Sequence, residues 1–202
     1  DVAKLIAVLA SGEQARNTMY GIGNVKAARL PLIQIPTTAG TGSEVTPIAI
    51  VTTGTTTKMG VVAPQLYADI AILDAELTLG LPSKITAATG IDAMVHAIEA
   101  YTTKHKKNPL SDMLAKQALT LLWANIDKAC TDGKNIDARQ SMLLGAMLAG
   151  QCFATAPCPA VHAFAYPLGG IFHLPKGYPK LSVVPPTSLL LNRAPTHLYR
   201  EI

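Results

Sequence analysis

The sequence changes character near residue 80, and this change limits the possible folds more than any other feature. Before it, four short runs of β-branched and other apolar residues have the pattern of strands. They cover residues 30–36, 45–53, 59–62 and 68–73. After it, long stretches without proline predict helices over 85–103, 111–130 and 138–154, and a shorter one over 160–168. We therefore expect an α/β segment over residues 1–80, followed by an all-α domain over residues 81–202.

Composition and charge exclude several classes of protein. The chain has 202 residues, of which 49% are hydrophobic, so it is long enough to bury one or two cores. Its net charge of +4 is mild and only 5% of its residues are aromatic, so we expect no nucleic-acid partner. Prolines 157 and 159 interrupt the longest uncharged stretch, so we expect no membrane span. Three cysteines without metal or redox spacing favour a reducing compartment, and we expect a cytoplasmic protein.

The chain begins at Asp1 rather than at a methionine, and residues 1–10 already have a helical pattern. A helix in an α/β fold normally follows a strand and a loop. We expect that this strand and loop are missing from the sequence.

An aspartate and a histidine lie four residues apart in the helix predicted over 85–103. Asp92 and His96 would share one helix face. A carboxylate and an imidazole placed in this way can hold one divalent metal ion. Pairs with this spacing also serve only to stabilise helices, so both interpretations stay open. His162 is a second candidate, although a single histidine in an apolar stretch is more often a core residue than a ligand.

A loop rich in threonine and glycine, residues 37–44, follows the apolar run 30–36. Ligands of α/β sheets bind at the carboxyl ends of strands, where such a loop would lie. Its hydroxyls and amides can hydrogen-bond phosphate or ribose, and its glycines let the backbone come close to a ligand. A plain surface loop has the same composition. Lys58, between two predicted strands, has the pattern of an ordinary surface lysine.

Four segments in order resemble the iron-containing (group III) alcohol dehydrogenases, of the superfamily that also holds glycerol dehydrogenase and dehydroquinate synthase. They are residues 1–4, 36–44, 88–99 and 162–177. The first resembles the end of the family's glycine-rich phosphate motif, and the second resembles its threonine-rich cofactor loop. The last two resemble its metal-binding signatures. The resemblance implies a dinucleotide-binding α/β segment over 1–80 and an α-helical metal-binding domain over 81–202.

The resemblance also implies roles for particular residues. It implies metal ligands at Asp92, His96 and His162, holding Fe²⁺ or, as in glycerol dehydrogenases, Zn²⁺. It implies contacts with NAD or NADP from six positions of the cofactor loop and the strands, namely Thr37, Thr38, Gly40, Thr41, Ser43 and Lys58. Near the substrate it implies Tyr166 and His173. Where the family has a fourth ligand, a histidine between proline and glycine, this chain has Lys176.

The activity implied is hydride transfer between NAD(P) and a small alcohol or aldehyde, in a homodimer. The lysine at position 176 leaves an alternative open. The chain could be an inactive or truncated scaffold of the same family with a weakened metal site.

Overall fold

The computed structural model describes residues 1–54, 57–104 and 106–156. They form two compact units, and the chain crosses from one to the other three times. Among the described residues, the first unit holds 1–36 and 43–72, and the second holds 37–42 and 73–156. The expected domain boundary near residue 80 stays a prediction.

The described part of the first unit contains one α-helix and five short strands. In chain order these are α1 (Val2–Leu9), β1 (Gly21–Ile22), β2 (Ile33–Gln34), β3 (Ile48–Thr52), β4 (Lys58–Val62) and β5 (Ile70–Ala71). A three-stranded sheet has the order β1–β4–β3, with β1 parallel and β3 antiparallel to β4. The strands β2 and β5 form a separate parallel ribbon. The helix α1 confirms the helix expected over residues 1–10.

The core of the first unit lies between α1 and the three-stranded sheet. Val8 of α1 is fully buried there, with Ala49 of β3, Val61 of β4 and the neighbouring Leu66. The alternation of inward and outward side chains along a strand explains why neighbours of these residues are less buried.

The prediction of a buried strand over 30–36 is wrong in extent and burial. Only Ile33–Gln34 is a strand, and the side chains of Ile33 and Ile35 are 56% and 47% exposed. Leu32 is buried. Within the described residues, β2 pairs with β5 alone. The strand expected over 45–53 begins later, because Ser43–Val45 forms a 3₁₀ turn.

Three long helices form the described part of the second unit. They are α2 (Ser83–Thr102), α3 (Pro109–Thr131) and α4 (Ile136–Thr155). Each bound lies within two residues of the predicted one. Asn108 caps α3: its Oδ1 accepts the Ser111 N–H at 2.9 Å, and its own N–H donates to Ser111 Oγ at 3.1 Å. The short helix predicted over 160–168 lies outside the described residues.

Small residues let the three helices pack closely. A Cβ added at Gly145 of α4 would lie 2.8 Å from Leu122 Cγ of α3, and one at Gly90 of α2 would lie 2.7 Å from Met142 Cε. Buried alanines fill much of the same core. None of the helices over residues 1–54, 57–104 and 106–156 has the length and hydropathy needed to cross a bilayer.

A buried arginine joins the ends of two helices in this unit. Arg139 is 2% exposed; its Nη1 donates to Thr86 Oγ1 at 2.7 Å and its Nη2 to the Leu81 carbonyl at 3.1 Å. Its Nε donates to the Gly133 carbonyl at 2.9 Å. These acceptors replace water around the charge, so the start of α2 is tied to α4.

Candidate metal and cofactor site

One face of α2 carries three buried ionisable side chains. Asp92, His96 and Glu99 are 3%, 7% and 3% exposed. Their spacing of four and then three residues places them along one side of the helix. Ionisable groups are rarely buried unless hydrogen bonds, opposite charges or a metal ion replace their water. The pair predicted from sequence therefore lies in the interior, where a metal site needs it.

The ring of His96 packs against Phe153 of α4. Their centroids are 4.9 Å apart and the ring planes are inclined by 49°, a tilted aromatic contact. The contact restricts rotation of the imidazole. Sequence reasoning missed Phe153, because its only signal was its place near the end of a predicted helix. Glu99 was also missed, although a position three residues after His96 places it on the same face.

The donor chemistry of Asp92 and His96 fits a divalent metal. A carboxylate oxygen and an imidazole nitrogen are both suitable ligands for iron or zinc. Within residues 1–54, 57–104 and 106–156, no three such groups converge as a ligand cluster. The expected ligand His162 lies outside the described residues, as do Tyr166, His173 and Lys176. The described part of the chain thus supplies two of the three predicted donors.

The threonine-rich loop divides between the two units. Thr37, Thr38, Gly40 and Thr41 belong to the helical unit. The side chains of Thr37 and Thr41 are exposed, whereas Ala39 between them is buried in the helical core. The loop is therefore anchored at Ala39, and an exposed threonine lies on either side of this residue.

The glycines of this loop pack against helices. A Cβ at Gly40 would lie 2.7 Å from Thr89 Cβ on α2, and one at Gly42 would lie 2.5 Å from Gly150 Cα on α4. Gly42 also has a φ of +57°, which favours glycine. Sequence reasoning assigned these glycines to close approach of a ligand. The structure shows that close approach of the helices requires them as well.

Ser43 and Lys58, the other two predicted cofactor contacts, belong to the first unit. Ser43 Oγ donates to Asp1 Oδ1 at 2.5 Å, while Asp1 Oδ2 accepts the Ile50 N–H at 3.2 Å. Lys58 begins β4, is exposed and lies opposite Thr52 of β3. Asp1 thus holds the end of the loop beside the start of α1.

A buried lysine reinforces this attachment. Lys4 is fully buried, and its Nζ donates to the carbonyls of Thr46 at 2.7 Å and Ile48 at 2.8 Å. Burial lowers the pKa of Lys4 to about 8, although the Glu44 carboxylate opposes this shift. Burial raises the pKa of Glu44, and the Lys4 charge opposes that shift. Sequence reasoning missed this burial, because Lys4 is the only charged residue of α1 and a lone charge on an apolar helix is expected to face solvent.

Two family models match the chain and together cover most of it. The model for iron-containing alcohol dehydrogenase matches residues 1–75, and the model for the C-terminal part of the Fe-containing alcohol dehydrogenase family matches residues 86–196. The second match includes all three predicted metal ligands.

Individual relatives agree with these models. The chain is 45% identical to long-chain-alcohol dehydrogenase 1 of Geobacillus thermodenitrificans over 92% of its own length and 47% of that protein. The crystal structure of a 1,3-propanediol oxidoreductase superposes with a TM-score of 0.82 at 38% identity, covering 88% of this chain and 46% of that one. For sulfoacetaldehyde reductase from Bifidobacterium kashiwanohense in complex with NAD⁺ the TM-score is 0.80 at 34% identity, with 89% and 48% covered. This chain therefore spans about half the length of these relatives.

Proposed function

Because the chain belongs to the iron-containing alcohol dehydrogenase family, we propose that it is part of an oxidoreductase that transfers a hydride between NAD(P) and a small alcohol or aldehyde. The observation that carries this proposal is the buried pair Asp92 and His96 on α2. The helical unit that holds this pair also holds the exposed residues Thr37 and Thr41. One compact unit thus offers donors for a metal and hydrogen-bonding groups for a nucleotide.

The roles of the chain's own residues follow from their chemistry. When bound, a divalent metal would act as a Lewis acid on the substrate oxygen, and a nicotinamide would exchange the hydride. Asp92 and His96 would hold the metal, and their burial keeps water away from it. Phe153 would keep the imidazole of His96 in its orientation. The hydroxyls of the threonine-rich loop would hydrogen-bond the cofactor and fix its position.

Several finer points belong to the proposal alone. We favour Fe²⁺ over Zn²⁺ because the matching family is iron-containing, and NAD over NADP because one similar structure holds NAD⁺. Ser43 and Lys58 stay proposed cofactor contacts. Tyr166 and His173 stay proposed substrate-side residues, and His162 a proposed ligand. A cytoplasmic homodimer is proposed from the sequence and the family resemblance, and sedimentation of the purified protein tests its oligomeric state.

A second candidate function rests on Lys176. The ammonium group of a protonated lysine offers only donors and a positive charge, which a divalent cation repels. A lysine where the family has a ligand histidine therefore favours a scaffold whose metal site is weakened. Hydride transfer by the purified protein, followed as NADH absorbance with a panel of small alcohols and aldehydes, separates this candidate from an active enzyme.

Nucleotide binding gives the first test of the proposed function. Replacing both Thr38 and Thr41 by valine should weaken NAD⁺ binding by about 1–3 kcal/mol, because polar groups of the ligand lose their partners. Calorimetric titration with NAD⁺ measures this loss. The matched control changes Thr120 and Thr131 to valine. Both are exposed residues of α3 whose hydroxyls donate to carbonyls of their own helix. Equal affinity in the native chain and the loop variant would remove the cofactor assignment.

A further inference from the structure

We infer that Thr89 of α2 is a positioning residue, which holds the threonine-rich loop in place by packing closely against the backbone of Gly40. The importance of this contact for cofactor binding rests on the proposed function. The contact itself is a feature of the helical unit and can be tested without any cofactor.

The contact is too close for any residue but glycine at position 40. A Cβ built on Gly40 would lie 2.7 Å from Thr89 Cβ, 3.0 Å from its carbonyl oxygen and 3.2 Å from its Cα. Two of the three atoms are backbone atoms of α2, so a rotation of the threonine side chain cannot make room. An alanine at position 40 would have to push the loop away from the helix.

Thr89 is itself firmly placed. Its hydroxyl lies 2.9 Å from the carbonyl of Ile85 and 3.2 Å from that of Thr86, one turn earlier in α2. Donating to these carbonyls holds its side chain in one orientation and presents a fixed surface to Gly40. Thr89 also precedes Asp92 by three residues, so the loop contacts α2 one turn before the first proposed metal ligand.

A second contact holds the other end of the loop. A Cβ built on Gly42 would lie 2.5 Å from Gly150 Cα of α4. Just before the two loop glycines, the side chain of Ala39 is buried in the helical core. With these contacts in place, the exposed residues Thr37 and Thr41 belong to a backbone whose position the helices determine. The glycines then serve to position the loop against the helices. This role is distinct from letting a nucleotide approach the loop backbone.

A rescue experiment separates these two roles. Gly40→Ala should weaken NAD⁺ binding at least about tenfold, because the loop is displaced. Adding Thr89→Gly removes the 2.7 Å contact and leaves those at 3.0 and 3.2 Å. We expect the double variant to recover at least about threefold of the lost affinity, as coupled residues do in a double-mutant cycle.

Gly145→Ala is the matched control. Its new Cβ would lie 2.8 Å from Leu122 Cγ, which is a similar crowding in the same helical unit but between α3 and α4. It should lower the melting temperature and leave the NAD⁺ affinity within about twofold of the native value. If the double variant bound NAD⁺ no better than Gly40→Ala, the cofactor rather than α2 would require the glycine, and the inference would be overturned.

Hydrogen exchange decides the inference if the native chain binds no NAD⁺, a result that would refute the proposed function alone. The amides of residues 39–42 should exchange at least about tenfold faster in Gly40→Ala than in the native chain and slow again in the double variant. Identical exchange in the native chain and Gly40→Ala would show that the contact does not hold the loop.

Discussion

The helix α2 and the ribbon of β2 and β5 both contain isoleucine and alanine, but they differ in the elements that pack around them. On α2, even the polar side chains of Asp92 and His96 are buried, because α3 and α4 pack around the helix. On the ribbon, Ile33 and Ile70 are more than half exposed. Burial of a side chain is therefore decided by the elements packed around it, and α3 and α4 supply these elements around Asp92 and His96.

This difference matters for function because a metal site needs a surrounding that excludes water and holds its ligands in place. The three helices provide both with residues from a single stretch of chain, 83–155. The ribbon depends on two segments more than thirty residues apart, Ile33–Gln34 and Ile70–Ala71. We therefore expect mutations to change the free energy of unfolding strongly in the helices and weakly in the ribbon.

The largest contrast should come from truncating one apolar side chain in each region. Leu122→Ala, at a fully buried position of α3, should lower the free energy of unfolding by about 2–5 kcal/mol, through lost packing and a cavity. Ile33→Ala, at an exposed position of β2, should change it by no more than about 0.5 kcal/mol. Urea unfolding followed by circular dichroism measures both. Equal effects would mean that the ribbon is packed as tightly as the helices.

The next effect concerns the pH dependence of the first unit. The folded-state pKa of Lys4 is about 8, below its ordinary value of 10.5. Between these two pH values the unfolded chain binds a proton that the folded chain has released, so stability should rise with pH by up to about 1.4 kcal/mol per unit. Below pH 8 both states are protonated, and the cost of burying the charge is present in full.

Replacement of Lys4 tests this dependence. Lys4→Met should abolish the rise in unfolding free energy between pH 8 and pH 10.5 that Lys4 contributes. Lys26→Met, which removes an exposed lysine of the same unit, should keep it. An unchanged slope in Lys4→Met, measured by urea unfolding at several pH values, would show that the burial of Lys4 does not alter its titration.

The smallest effect on stability should come from charging the ribbon. Ile33→Lys with Ile70→Glu should change the free energy of unfolding by no more than about 0.5 kcal/mol each, since both positions are exposed and the opposite charges face each other across the paired strands. Exposed apolar strands promote association, so the double variant should stay monomeric at concentrations where the native chain associates. Sedimentation velocity compares the two, with Trp123→Lys on α3 as a control for loss of a single exposed apolar side chain. A native chain that is monomeric throughout would contradict this expectation.

Features that depend on residues close in sequence could be predicted, whereas features that depend on contacts between distant segments could not. Helix bounds depend on nearby residues such as Asn108, and they were predicted to within two residues. The burial of the 30–36 run depends on sheet neighbours, and its prediction was wrong. The shared helix face of Asp92 and His96 followed from their spacing, whereas Phe153 comes from another helix and leaves no comparable sequence signal.

The close contact of Gly40 with Thr89 shows the same limit in the candidate site. Composition predicted a loop that tolerates close approach, and it could not tell whether a ligand or a helix approaches. Positions 40 and 89 are far apart in sequence, and their contact depends on the packed helical unit. The roles of His162, Tyr166, His173 and Lys176 stay predictions.

Metal binding tests the central claim most directly. Calorimetric titration with Fe²⁺, under anaerobic conditions, should show weak binding by the native chain and at least about tenfold weaker binding by Asp92→Asn. Asp137→Asn, at an exposed position in the first turn of α4, should bind as the native chain does. Lys176→His should bind more tightly, because it adds an imidazole donor and removes a positive charge. Native-like binding by Asp92→Asn, or no binding by either the native or the Lys176→His chain, would contradict a metal site on α2.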